Sequence, residues 1–231
     1  MNEIGDVHFE PLTESQYLKP IRMRFKQHNH ARAWDLMISH DSVTCVLYHT
    51  QRRALVFVKQ FRPAVYANRG AELDHTLSPD PDALNKIDWH KISPETYNQA
   101  YLIHQGMTLE LCAGIIDKGG KTELETVQEE IHEECGYDVP LQRIERVTSF
   151  RSGVGVSGSR QTLFYAELDE SQRVSDGGGL DDEMIQVVYV PIEQAQTLIL
   201  DEHVARPAGM ILGLMWFYEH KAHKHMQTVE K

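Results

Sequence analysis

The sequence predicts an α+β fold, an α/β/α sandwich in which mixed strands carry helices on their faces. Three observations lead there. Residues 43–48 and 54–61 are apolar runs rich in β-branched residues, joined by HTQRR, and read as a strand hairpin. Residues 122–136 have helical periodicity with both ends marked. Residues 207–222 hold a second, more apolar helical stretch around GMILGLMWFY.

Taken in order, residues 1–16 are polar and acidic and read as a loosely ordered arm with no cationic-then-apolar leader. Residues 17–25 and 33–38 look like short strands with QHNH at 27–30 as their turn. The expected division is an arm over 1–40 and one main domain over 41–231. Residues 67–105, with SPDPD and scattered polar residues, read as a long surface insertion. Residues 107–111 form a strand that leads into a glycine-bearing loop. Further strands fall at 144–150 and 161–168. Residues 176–182 carry three consecutive glycines and several acids, a candidate mobile loop. A last strand at 184–191 precedes helices at 192–200 and 207–222.

The helix after residue 122 is well specified. Thr122 and Glu125 fit a capping box, which starts the helix at 121–123. Leu124, Val127, Ile131 and Cys135 form its buried stripe, and Gly136 stands where a C-terminal glycine cap belongs. Glu130, Glu133 and Glu134 follow at i, i+3 and i+4, within roughly 100° of one another and facing a groove rather than the core. Three carboxylates so placed repel one another. A solvated acidic face is the plain alternative; the chemical reason to tolerate the repulsion is a hard cation. Mg²⁺ takes oxygen ligands, often one or two carboxylates together with water and substrate phosphate.

Composition narrows the class. The 231 residues are 41% hydrophobic and 25% charged, enough apolar content for a substantial core. The net charge of −11 argues against a nucleic-acid partner but not against a small anionic substrate at a metal. No apolar run approaches the ~18 residues of a membrane span, so no membrane partner is expected. Cys45, Cys112 and Cys135 are an odd, widely spaced set. They read as buried thiols in a reducing, cytoplasmic setting, not as a disulfide frame or zinc site. His220, His223 and His225 read as exposed helix residues.

Residues 110–137, ELCAGIIDKGGKTELETVQEEIHEECGY, resemble the Nudix box, in which E-x-x-A-G and a loop precede a helix ending R-E-U-x-E-E-x-G-U, U being aliphatic or aromatic. The resemblance extends through WDLMISHDSVT, LVFVKQFRPAVY, SGVGVSGSRQTLFY and GGGLDDEMIQVV, from about residue 17 to 218. Within the Nudix hydrolases the chain is most similar to the UDP-sugar diphosphatases, relatives of the ADP-ribose pyrophosphatases. The resemblance implies the Nudix fold and Mg²⁺-dependent hydrolysis of a nucleoside diphosphate sugar, with Mn²⁺ as a substitute ion. UDP-glucose, giving UMP and glucose 1-phosphate, is the favoured substrate. ADP-ribose, giving AMP and ribose 5-phosphate, is the alternative, and a non-catalytic nucleotide-binding module is the alternative of another class.

It also implies roles. Glu130, Glu133, Glu134 and the Ala113 carbonyl would hold the metal. Glu183, with Asp181 and Asp182 beside it, maps to the proposed base on a loop before the last strand, and Glu134 counts with it as catalytic. Arg62 would fork onto phosphate, Glu110 would orient the sugar side, and Trp34 would stack on a base across a homodimer formed by the N-terminal arm. The SGVGVSGS loop offers Gly155 and Ser157 for substrate. Two positions depart from the box. Glu129 replaces the arginine before the first metal-binding glutamate, and Lys121 stands where an acid is expected, in a loop one residue longer than usual. Glu129 is therefore read as a surface acid, with Arg62, Arg151 or Arg160 taking over the orienting role.

Overall fold

The computed structural model describes residues 13–15, 18–67, 106–180 and 183–226. Residues 1–12, 16 and 17 of the expected arm, nearly all of the insertion at 67–105, and Asp181 and Asp182 lie outside them.

Strands β1 (Lys19–Gln27) and β2 (His30–Ile38) form a separate antiparallel hairpin. Both run closer to the turn than their sequence suggests. His28 and Asn29 adopt φ of 49° and 65°, and such a two-residue turn lets the ladder close at once.

The main sheet contains β3 (Ser42–His49), β4 (Ala54–Phe61), β5 (Met107–Glu110), β6 (Cys112–Ile115), β7 (Ile144–Arg151), β8 (Arg160–Leu168) and β9 (Gln186–Pro191). Its order is β5-β4-β3-β8-β7, with β6 also on β3 and β9 also on β4. β3 and β8 run parallel; the other pairs are antiparallel. β3 and β4 pair only where Leu47–His49 meets Ala54–Val56. Beyond that they part, and residues 107–115 fill the wedge, pairing first with β4 and then, past Leu111, with β3. The segment after Leu111, expected to be loop, is thus strand β6.

The sheet is covered on both faces, as an α/β/α sandwich requires. Alternate residues of β3 point to opposite sides. Val43, Cys45 and Leu47 pack with Val127, Ile131 and Cys135, beneath helix α1 (Glu123–Glu130) and the turn after it. Val46 and Tyr48 pack with Met210, Leu214 and Phe217. Those last three belong to α3 (Ala208–His220), which follows the short α2 (Ile192–Ala195) and leads into α4 (Ala222–Met226). All three cysteines are free and buried. His220 and His223 are exposed, whereas His225 is half-buried with its ring 4.1 Å from that of Tyr48. Among the described residues no helix is long and apolar enough to cross a membrane.

Candidate active site

The Thr122–Glu125 capping box is present in both directions, so α1 starts where the sequence places it. Its end differs. After Glu130 the chain widens into a π-helical turn, Ile131–Cys135, closed by Gly136 at φ 76°. This turn separates two neighbouring glutamates. Glu134 is turned inward and buried, and its Oε2 accepts the Ala113 N–H at 2.9 Å. Glu133 stays half-exposed, with Oε1 3.9 Å from Lys118 Nζ. The three glutamates therefore do not share one open groove face as a regular helix would arrange them.

Glu130 lies against Gly114. A Cβ on that glycine would sit 1.9 Å from Glu130 Oε1, so only glycine leaves room for the carboxylate. Burial, reinforced by Glu133 and Glu183, pushes the Glu130 carboxyl up to about 7. Burial pushes Glu134 to about 8, although the Ala113 N–H opposes the rise. Among the described residues no three Asp, Glu, His or Cys side chains converge as a closed ligand set. What does converge is the buried Glu134 and the half-buried Glu130, two carboxyls raised by burial and by neighbouring carboxylates, a donor set of hard oxygens. Mg²⁺ commonly takes such a pair and completes its shell with water and phosphate, so these residues fit it.

The two departures from the box meet each other. Lys121 Nζ contacts Glu129 Oε1, and Lys118 Nζ lies 3.4 Å from Glu129 Oε2. The Lys121 bond comes first among the influences that hold Glu129 below the usual carboxylate range. The expected substitutes are engaged elsewhere. Arg62 forks onto Glu110 with two bonds of 2.7 Å, Arg160 pairs with Glu123 at 2.7 Å, and Arg151 donates to the Gly158 carbonyl at 3.1 Å. The cations on Glu129 are lysines from the preceding loop.

A cavity of about 330 Å³ opens beside the carboxylates; Ala113 and Gly114, which carry Glu134 and Glu130, form part of its wall. Arg62, Glu110 and Arg151 line it as well, and the first turn of α3 closes the far side. Gly209 there is close enough to β8 that a Cβ would meet Gln161 Oε1 at 2.5 Å. Arg62 and Glu110, expected to bind ligand separately, are each other's partner, and the Thr108 hydroxyl also donates to Glu110. Burial works to raise the Glu110 carboxyl, but Arg62 and Thr108 together hold it below its ordinary range. Thr108 was legible in principle, since it lies two residues from Glu110 on the same strand face.

Glu183 is close enough to Glu130 and Glu134 to raise both carboxyls, and its own Oε2 accepts the Leu180 N–H at 3.1 Å. Trp34 is exposed on the hairpin, its Nε1 donating to the Gly155 carbonyl at 3.1 Å, so it is not a core residue. In SGVGVSGS a tight turn accounts for Gly153 and Gly158, at φ 55° and 61°. Gly155 has open space around it, and the Ser157 hydroxyl lies 3.3 Å from that of Ser159.

No family model matches the chain. It is 40% identical over 220 residues to the uridine diphosphate glucose pyrophosphatase NUDT14 of Bos taurus, which covers 94% of this chain and 96% of that protein. The chain belongs to the Nudix hydrolase family. The Mus musculus protein of the same name is 37% identical over the same share of the chain. More distant Nudix relatives include a GDP-mannose pyrophosphatase of Klebsiella pneumoniae, 28% identical over 74% of this chain. The Nudix box of this chain is thus the segment that runs from β5 through β6 and α1 to Tyr137.

Proposed function

We propose that this Nudix hydrolase cleaves the diphosphate of a nucleoside diphosphate sugar in a Mg²⁺-dependent reaction, with UDP-glucose as the favoured substrate. The observation that carries this reading is the pair of half-buried Glu130 and buried Glu134, held against Gly114 and Ala113 at the wall of the cavity. The similarity to pyrophosphatases named for UDP-glucose supports the substrate class.

Glu130 and Glu134, with Glu133 and the Ala113 carbonyl, would hold the ion. Bound there, Mg²⁺ supplies neutralising charge for the diphosphate oxygens. Glu183 accepts a proton from the attacking water. The water oxygen bonds to one phosphorus, the bond from that phosphorus to the bridging oxygen breaks, and UMP and glucose 1-phosphate leave. The buried Glu134, whose Oε2 accepts the Ala113 N–H, would help to fix the ion's place. The Arg62–Glu110 pair takes the sugar or phosphate end in the cavity. Gly155 and Ser157 would contact substrate, and Trp34 would stack on the base across a homodimer.

The test is a panel of UDP-glucose, GDP-mannose and ADP-ribose, each with Mg²⁺, with Mn²⁺ and with chelator, and with the products identified. Release of UMP and glucose 1-phosphate only when a divalent ion is present is the expected result. Binding without product would make the chain a nucleotide-binding module, and preferential release of AMP would reassign the base.

A further inference from the structure

The loop at 176–182, expected to be mobile from its three glycines, is bonded through Gly178 and Gly179 to the π-turn that follows α1. Gly177, Gly178 and Gly179 have φ of 69°, 117° and 86°. The Gly178 N–H donates to the Glu134 carbonyl at 2.9 Å, and the Gly179 N–H donates to the Glu133 carbonyl at 3.0 Å. Two consecutive glutamates in the π-turn are thus held by two consecutive glycines. The approach leaves no room for side chains. A Cβ on Gly177 would lie 2.3 Å from the Glu134 carbonyl oxygen, and one on Gly179 would lie 2.4 Å from Glu183 Oε2.

The same glycines hold the loop's far end. Ile185 N–H donates to the Gly178 carbonyl at 3.3 Å, and Glu183 N–H donates to the Leu180 carbonyl at 3.0 Å. Glu183 then folds back over Gly179, its carboxylate accepting from the Leu180 N–H. From the Glu133 carbonyl to the Glu183 carboxylate the route runs through Gly179 and the Leu180 N–H. A base on an untethered loop would sample many positions; this one is anchored to the backbone of the residues it must work beside.

We propose that Gly178 and Gly179 are positioning residues, a backbone strap that sets Glu183 at a fixed place relative to Glu130 and Glu134. The proposal rests on the reading of Glu183 as the proton acceptor. It assigns these two glycines to function rather than to loop flexibility, and it requires φ in the left-handed region where a substituted residue is strained.

The test crosses Gly179→Ala with Glu183→Gln and adds amide exchange on the unsubstituted, metal-free protein. Gly179→Ala should lower kcat by at least about tenfold with little change in KM, since transition-state positioning is lost rather than binding. In the Glu183→Gln background the same change should cost less than about twofold, because residues that act through one another are not additive. A full additional loss in that background would mean that Gly179 acts on the fold alone and would overturn the proposal. Full activity of Glu183→Gln would instead remove the base assignment, a separate failure. Where Gly179→Ala fails to fold, exchange decides: the Gly178 and Gly179 amides should be as protected as those of the box helix, and loop-like exchange at both would overturn the strap.

Discussion

Lys121 and Glu129 form an ion pair across the loop and helix of the Nudix box, with its charges reversed relative to the usual box. The helix still starts at its Thr122–Glu125 capping box with the acid on the helix and the base in the loop. Glu129→Arg would set a guanidinium beside Lys121 and Lys118, and Lys121→Glu would set two carboxylates together. Each single change should lower the melting temperature and turnover. The double change should recover most of the loss, with a coupling of about 0.2–1 kcal/mol, as for half-exposed pairs elsewhere. Additive losses in the four-way comparison would show that the pair carries no orienting role.

Glu134→Gln should reduce turnover by several orders of magnitude and leave the fold intact, each tenfold step corresponding to ~1.4 kcal/mol of transition-state stabilisation. Glu133→Gln should cost less, because Glu133 is half-exposed and faces Lys118. Steady-state rates at saturating Mg²⁺, with circular dichroism as the fold control, check the order. Equal losses would mean that both side chains serve the ion alike.

Gly114→Ala should expel the Glu130 carboxylate from its seat, since the new methyl would occupy the place of Oε1. Titration calorimetry with Mg²⁺ should then give weaker binding while the melting temperature moves little. Unchanged Mg²⁺ affinity would separate Glu130 from the ion.

The metal-free protein should lose stability as pH rises. Folded Glu130 and Glu134 hold their protons to about 7 and about 8, against an ordinary value of 4.5 in the unfolded chain. Between those values the folded state binds more protons than the unfolded one, so unfolding free energy falls with pH and levels off above the upper value. Glu110 and Glu129, held low by their cations, act in the opposite sense and only at acid pH. Denaturant titrations from pH 5 to about 8.5 should show the decline, and a Glu130→Gln/Glu134→Gln variant should flatten it. A flat wild-type profile would sink the assignment of those two raised carboxyls.

The β1–β2 hairpin should pack against a second copy. A two-stranded hairpin is marginal alone, and this one leaves Ile21, Met23, Trp34 and Ile38 exposed. It carries Lys19, Arg22, Arg24, Lys26 and Arg32 against Asp35 in a chain of net charge −11, which suits an acidic partner surface. Light scattering should give a dimer, and Ile21→Glu with Met23→Glu should give a monomer. A monomeric, fully active parent protein would refute the arrangement.

Much of the site could be read from residue order because local rules govern it. The capping box, the buried stripe of α1 and the glycine after Cys135 all act within a few residues, and all stand where spacing put them. The π-turn did not show; it sets Glu134 against Ala113, a contact 21 residues apart that local spacing does not reveal. β6 looked like loop for a related reason: its pairing with β3 depends on a distant strand, not on its own CAGI. The partners of Arg62 and Glu129 were likewise hidden, since a charge in sequence does not say which opposite charge it will face.

The strand that leaves β4 for β3 at Leu111 has one more consequence. Glu110 and Ala113 ride the same extended segment, three residues apart, or about 10 Å at strand pitch. On the proposed assignment one marks the sugar end of the ligand and the other the cleaved phosphate. Both halves of the segment are held in ladders, β5 on β4 and β6 on β3, so the sheet and not the ligand sets that spacing, and on the proposed assignment it would favour substrates whose diphosphate fits between the two points.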